Sequence, residues 1–295
     1  TFEQFFNVRP TGCWPSEGGV SEATLRQLED HGFSWAASGE SVFRHSMAHP
    51  ANKDIADKGL YQGFRVGDGR LACFFRDDGL SDLIGFTYSD WHADDAVGNL
   101  VQHLENIAVS TRGQDSPLVS IILDGENAWE HFPENGYYFL NTLYQKLAEH
   151  PELEMTTYSR YLAEQPPRQR LPNLVSGSWV YGTFSTWIGD ADKNRGWDML
   201  IEAKQAWDEV IASGCLNKAS REQAILQLAV CEGSDWFWWF GDYNPEETVS
   251  DFEHLFRRQL SQLYKLLGEP QPEYLTQVFA RGSGAPTMGG VMRRN

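Results

Sequence analysis

The chain has 295 residues, 41% of them hydrophobic and 13% aromatic, with 11 Trp. That is enough apolar surface for one large domain or two ordinary ones, and it excludes a disordered or low-complexity chain. With 24 Lys and Arg against 41 Asp and Glu, the net charge is −17, which opposes nucleic acid and anionic membranes as partners and suits a neutral ligand.

The first residues, TFEQFFN (1–7), have neither the basic segment nor the apolar core of a signal peptide. They read as the end of a helix entered midway, so an N-terminally truncated chain is expected. Up to about residue 165, short apolar runs alternate with helical periodicity, the pattern of βα units on a largely parallel sheet. Strands are predicted at 12–14, 33–37, 71–75, 119–124 and 154–156. Between them, Ser21 can cap a helix bearing Leu25 and Leu28. The stretch 93–108 spaces Val97, Leu100, Val101 and Leu104 helically, and 136–147 does so with Phe139, Leu140, Leu143 and Leu147. Residues 44–70 show no periodicity and predict a long functional loop.

Three prolines in QPPRQRLP (165–172) mark a boundary, beyond which the chain reads as mainly helical. Helices are predicted over 192–212 and 219–229. Phe252, Leu255, Phe256, Leu260, Leu263, Tyr264 and Leu267 form a further apolar stripe. The Gly-rich, basic end 281–295 reads as a tail. The expected domains are a partial (β/α) barrel over 1–172, a mainly helical domain over 173–270 and a flexible tail over 271–295. An eight-stranded barrel takes about 250 residues, so the shorter βα part fits missing N-terminal strands. No apolar run approaches the ~18–20 residues that span a bilayer. Cys13, Cys73, Cys215 and Cys231 are widely spaced without a CxxC, which predicts reduced thiols and a cytoplasmic protein.

The eight histidines form no HxH, HExxH or Cys/His cluster, and GxSxG, P-loop and GxGxxG signatures are missing, so neither a metal nor a cofactor is expected. Carboxylates at strand ends remain. In GCWPSEGG (12–19) a strand runs into a Pro/Gly turn bearing Glu17, three residues after Trp14. In VSIILDGEN (119–127) a run of small and apolar residues ends at Asp124, then Glu126. A strand buried on both faces delivers its first charge at its C-terminal mouth, where barrel enzymes place catalysis. One such carboxylate is as readily a helix cap; two, both beside Gly and near Trp, point to chemistry. CEGSDWFWWF (231–240) could be a stacking floor with Asp235 as acceptor, or a helix–helix core with Asp235 as N-cap. GSWVYGTFSTWIG (177–189) could line a groove or be an aromatic packing strip.

These segments, in this order over residues 9–267, resemble glycoside hydrolase family 57, the group of α-amylases, 4-α-glucanotransferases and amylopullulanases. The 12–18 segment is similar to the family's nucleophile motif, LDGENAWE (123–130) to its acid/base motif, and EGSDWFWW (232–239) to its final conserved region. RDDGLSDLIGF (76–86) and 179–189 resemble the amylopullulanase-like branch. The resemblance implies an incomplete (β/α)7-type barrel followed by a helical domain that closes the substrate groove. It implies Glu17 as nucleophile and Asp124 as general acid/base, with Trp14, Asp235 and Trp238 binding substrate. Glu126, Trp129, Trp179 and Trp187, in the same segments, join them as candidate substrate-binding residues. The family's early His-Gln-Pro motif and its second, Glu-bearing motif have no counterpart and are expected before residue 1. Trp129 stands closer to Asp124 than the corresponding aromatic of the glucanotransferases, where this chain has His131, which argues against reading transferase specificity.

The expected activity is a retaining hydrolase of α-glucans. The alternatives are a 4-α-glucanotransferase-type transglycosylase, or a non-catalytic carbohydrate-binding protein of the same fold. Retention requires carboxyl groups about 5–5.5 Å apart. Glu17 must be ionised to attack, while Asp124 must keep its proton, helped by nearby Glu17 and Glu126 and by desolvation under Trp14 or Trp129. This chemistry needs no metal.

Overall fold

The computed structural model describes residues 2–53, 55, 59–125 and 129–284. The chain divides into two compact units, residues 1–184 and 185–295.

The first unit runs α1 (Phe2–Phe6), β1 (Gly12–Cys13), α2 (Glu22–Asp30), β2 (Trp35–Ser38), α3 (Glu40–Ala48), β3 (Phe64–Val66), β4 (Ala72–Phe75), α4 (Asp78–Phe86), α5 (Ala93–Ser110), α6 (Tyr137–Ala148), α7 (Tyr158–Glu164) and β5 (Gln169–Leu171). Its sheet has the order β1-β2-β4-β3-β5. β1, β2 and β4 are mutually parallel, whereas β3 runs antiparallel to β4 and parallel to β5. All four residues of β4 are buried, because the sheet is covered on both faces and side chains alternate between them. Ala36, Cys73 and Phe75 join Leu25, Val42 and Phe43 on one side. Ala37, Ala72 and Phe74 join Trp35, Leu118, Ile122 and Tyr158 on the other. Leu80, Val97, Leu100, Phe139 and Leu143 form a separate core among α4, α5 and α6. Ser21 accepts from Thr24 N at the start of α2 as predicted.

Two predicted strands are corrected. Residues 119–124 form no strand: Asp77 N donates to Ser120 O at 2.8 Å, Ser81 Oγ receives Ile122 N at 3.2 Å, and Arg76 Nε reaches Ile122 O. Its backbone thus bonds to a turn and to side chains instead of a ladder. Residues 154–156 are also irregular, and Met155 is 44% exposed, so neither face of that segment is buried. Conversely, the expected loop 44–70 contains the end of α3 and all of β3, and the proline-rich break contains β5. Residues 173–184 belong to the first unit rather than to the helical domain. Val20 pairs with Gly177, and Leu174 is in the sheet core.

The second unit comprises α8 (Ala191–Ser213), α9 (Lys218–Cys231), α10 (Asp235–Trp239) and α11 (Glu246–Leu267). Val249, Phe256, Leu260, Leu263 and Leu267 give α11 its buried stripe, and left-handed Gly214 and Gly268 end α8 and α11. Trp197 stacks on Phe237 at 3.8 Å and 4°. The tail expected from 271 is corrected up to 284: Leu275 and Ala280 are buried. The buried Glu253 and the half-buried Arg257 also bind Phe279 N and Leu275 O, at 3.0 and 2.9 Å. Residues 285–295 lie outside the described residues. Among the described residues no helix is long and apolar enough to cross a membrane, and all four cysteines are free.

Candidate active site

β1, β2 and β4 point their C-terminal ends the same way, and each hands over there to a short polar segment. After β1 the chain passes Trp14 and Pro15 into a tight turn at Ser16–Gly18, closed by Gly18 N to Pro15 O (2.8 Å) and Gly19 N to Ser16 O (2.9 Å). Glu17 takes a left-handed backbone, φ 52° and ψ 29°, followed by Gly18 at φ 59°. For a residue with a Cβ this conformation is strained and persists only where the surroundings enforce it. They do so from three sides. Ser38 Oγ, at the end of β2, donates to Gly18 O at 2.6 Å. Trp179 N donates to Glu17 O at 3.1 Å. The Trp179 indole Nε1 donates to Glu17 Oε2 at 2.7 Å, so one residue holds both the backbone and the carboxylate. Gly39 allows the approach: a Cβ there would lie 2.6 Å from Trp179 Cα.

Trp14 meets Trp179 edge-on, with centroids 5.5 Å apart and an interplanar angle of 81°. Arg76, which follows β4 and is 4% exposed, lies over the same Trp179 ring at 4.9 Å. Its guanidinium donates to Ile122 O at 2.9 Å, Asp78 Oδ1 at 2.8 Å and Asp82 Oδ1 at 2.7 Å. Ile122 is two residues before the half-buried Asp124. Continuous contacts therefore run from Glu17 through Trp179 and Arg76 to the segment that carries Asp124. Asp78 N donates to Glu40 Oε2 at 3.1 Å and Glu40 N to Asp78 Oδ1 at 3.4 Å, so these two acids cap each other's helices. Burial pushes the Asp78 carboxyl up, opposed by its bond to Arg76. Burial and neighbouring Asp77, which accepts from its hydroxyl at 3.0 Å, push Tyr61 up.

The structure thus brings Trp14, Glu17 and Trp179 together and ties the Asp124 segment to them. It places Trp129 elsewhere, in the α4–α6 core against Phe132 at 5.4 Å and Phe139 at 6.1 Å. Glu126 lies outside the described residues. In the second unit Trp187, 7% exposed, meets the half-buried Trp238 at 5.5 Å and 62°. Asp235 is exposed as the first residue of α10, whose N-cap is Ser234. Sequence reasoning singled out neither Arg76 nor Ser38. For Arg76 the mark was present: β4 is an apolar run that ends in its first charges, the sign that picked Asp124.

The sequence profile of glycosyl hydrolase family 57 matches residues 1–174. Solved structures are also similar. The α-amylase AmyC from Thermotoga maritima has a TM-score of 0.66 at 15% identity, over 94% of this chain and 61% of that one. A GH57 branching enzyme from Thermococcus kodakaraensis has 0.68 at 14%, over 90% and 60%. A 4-α-glucanotransferase from Thermococcus litoralis has 0.60 at 15%, over 90% and 43%. The chain spans about three-fifths of the first two. No curated protein matches the sequence significantly. The shared fold is an incomplete (β/α)7-type barrel followed by a helical domain.

Proposed function

The chain belongs to glycosyl hydrolase family 57, and from that premise we propose that it is a retaining hydrolase of α-glucans, with Glu17 as nucleophile and Asp124 as general acid/base. The observation that carries this reading is the hold on Glu17: a carboxylate on a strained turn at a strand mouth, fixed by an indole N–H at 2.7 Å. A cap or a surface acid has no need of such a backbone.

In the first step Glu17 attacks the anomeric carbon while Asp124 gives its proton to the departing glycosidic oxygen, leaving a glycosyl ester on Glu17. In the second step Asp124 takes a proton from water, whose oxygen attacks the same carbon and releases Glu17. Trp14, Trp179 and Trp238 supply stacking faces for neutral sugar rings, Trp187 backs Trp238, and Asp235 accepts hydroxyl hydrogen bonds. Glu126 and Trp129 remain proposed substrate contacts from their place beside Asp124 in sequence. Unpaired cysteines support a cytosolic setting.

The test is a pair of variants assayed on maltoheptaose and on an aryl maltoside with an activated leaving group. Glu17→Gln should abolish turnover on both, while Asp124→Asn should spare the activated substrate, which needs less protonation of its leaving group. Equal loss on both substrates in Asp124→Asn would overturn the assignment of roles. A branching enzyme and a glucanotransferase share the fold, so transfer to a sugar hydroxyl is the second reading. Longer oligosaccharides among the products, in place of glucose and maltose, decide for it.

A further inference from the structure

The second unit holds a buried cation that no step above uses. Lys193, in the first turn of α8, is 0% exposed, although lysine is rarely buried without a partner. A buried ammonium is costly unless its donors are satisfied, and here they are satisfied largely by backbone. Nζ donates to Thr186 O at 2.7 Å, Phe237 O at 2.6 Å and the Tyr243 hydroxyl at 3.0 Å, with Trp238 O at 3.4 Å. Thr186 adjoins Trp187 in sequence and Phe237 adjoins Trp238. One turn along α8, Trp197 Nε1 donates to Trp187 O at 2.9 Å.

α10, which carries Asp235 and Trp238, has five residues. A helix that short does not hold its shape unaided, and its last carbonyls have no partner within it. Asn244, also buried, donates Nδ2 to Trp238 O at 3.1 Å and Trp239 O at 3.0 Å. Two side chains therefore grip the carbonyl end of α10, and Lys193 extends the grip to residue 186. The partial negative charge of a helix C-terminus favours a cation there, and an apolar side chain of equal length would leave the carbonyls unpaired.

We propose that Lys193 is a positioning residue for glucan binding, its ammonium pinning Thr186 and Phe237 so that the buried Trp187 packs edge-on behind Trp238 and holds that half-buried ring as a stacking face. The ligand rests on the function proposed above; the pinning does not. Lys193 touches no sugar in this account. It acts through the two indoles, so its loss weakens binding more than it slows the chemistry at Glu17.

The test uses the full chain, maltoheptaose as probe, and the circular-dichroism couplet of the two indoles, identified as the band that Trp238→Phe removes. Lys193→Met should lose the couplet, weaken maltoheptaose binding about tenfold and raise KM by a similar factor, with kcat changed less than about threefold. Tyr243→Phe, which removes one acceptor and leaves the carbonyls in place, should weaken the couplet and binding about threefold, and it decides the question if Lys193→Met does not fold. A folded Lys193→Met, or in its absence Tyr243→Phe, with couplet and binding unchanged overturns the proposal. So does a fall in kcat at constant KM, which reports lost folded protein. Wild-type protein that binds no maltoheptaose overturns the glucan assignment here and above, whereas a couplet that survives Lys193→Met overturns the pinning alone.

Discussion

The turn at Glu17 and the Trp187–Trp238 pair are held by opposite means. In the first unit an acid is fixed by an aromatic donor: Trp179 bonds the carboxylate, and the cation Arg76 sits behind that ring. In the second, aromatic rings are fixed by a cation, Lys193, acting through backbone carbonyls. The contrast follows from what each region must keep still. A reacting carboxylate needs one rotamer in one place, which a directional hydrogen bond to the side chain supplies. A stacking face needs its ring held in one plane, which is achieved by fixing the backbone beneath that ring and beneath the ring packed edge-on against it.

The largest expected effect breaks the first arrangement at its base. Arg76→Ala removes a buried guanidinium and strands the partly buried Asp78 and Ile122 O, while the exposed Asp82 returns to water, and losing one partner of a buried ion pair costs up to about 3–5 kcal/mol. Denaturant titration should show that loss, together with loss of activity at temperatures where the wild type works. A loss below about 1 kcal/mol would mean that Arg76 does not join the two carboxylate segments. A smaller effect sharpens the contrast. Trp179→Phe keeps a six-membered ring under Arg76 and removes the indole N–H with the pyrrole part of the ring system. A hydrogen bond to a charged group is worth about 1.5–3 kcal/mol, so kcat/KM should fall roughly ten- to a hundredfold with little change in Tm. An unchanged kcat/KM would show that Glu17 is placed by its backbone alone.

The smallest effect compares the cores beneath the two regions. Burial pushes the Cys73 thiol, in β4, and the Cys231 thiol, at the end of α9, each up to about 12. Their unfolded value is 9.0, so between pH 9 and 12 the unfolded chain holds fewer protons than the folded one, and stability falls as pH rises. Below about pH 8 neither thiol contributes an appreciable slope. Urea denaturation between pH 8 and pH 10 should show Cys73→Ala and Cys231→Ala each declining less than the wild type, because the opposing slope of the buried Lys193, pushed down to about 8, is common to all three. Curves parallel to the wild type would mean that the thiols ionise in place.

Much of this was legible where a single period governed the residues. The amphipathic stripes of α5, α6 and α11 and the apolar bursts of β2 and β4 carry their burial pattern in the order of their side chains. Glu17 and Asp124 stood out because a charge follows an apolar or small-residue run. The segment 119–124 reads as a strand for the same reason, yet its backbone is satisfied by Ser81 and Arg76, partners that no local pattern announces. β3 and β5 have three residues each, too few for a period to show, and they exist through pairing, β3 with β4 and β5 and β5 with β3. Lys193 was invisible for a different reason. A lysine in the first turn of an amphipathic helix reads as a solvated face, and only the return of residues 237–243 encloses it.

The left-handed backbone at Glu17 bears on how this chain can change over generations. In that region a glycine costs nothing and an asparagine little, while other side chains lose roughly 1–2 kcal/mol. Replacing Glu17, the proposed nucleophile, by glycine relieves that strain but also removes the carboxylate that accepts from Trp179 Nε1, a bond of comparable worth. The two effects nearly offset, so on the proposed role it is turnover and not stability that retains the glutamate. In a lineage released from that selection, glycine or asparagine can stand at position 17 at little thermodynamic cost, with the Trp14–Trp179 contact still beside it.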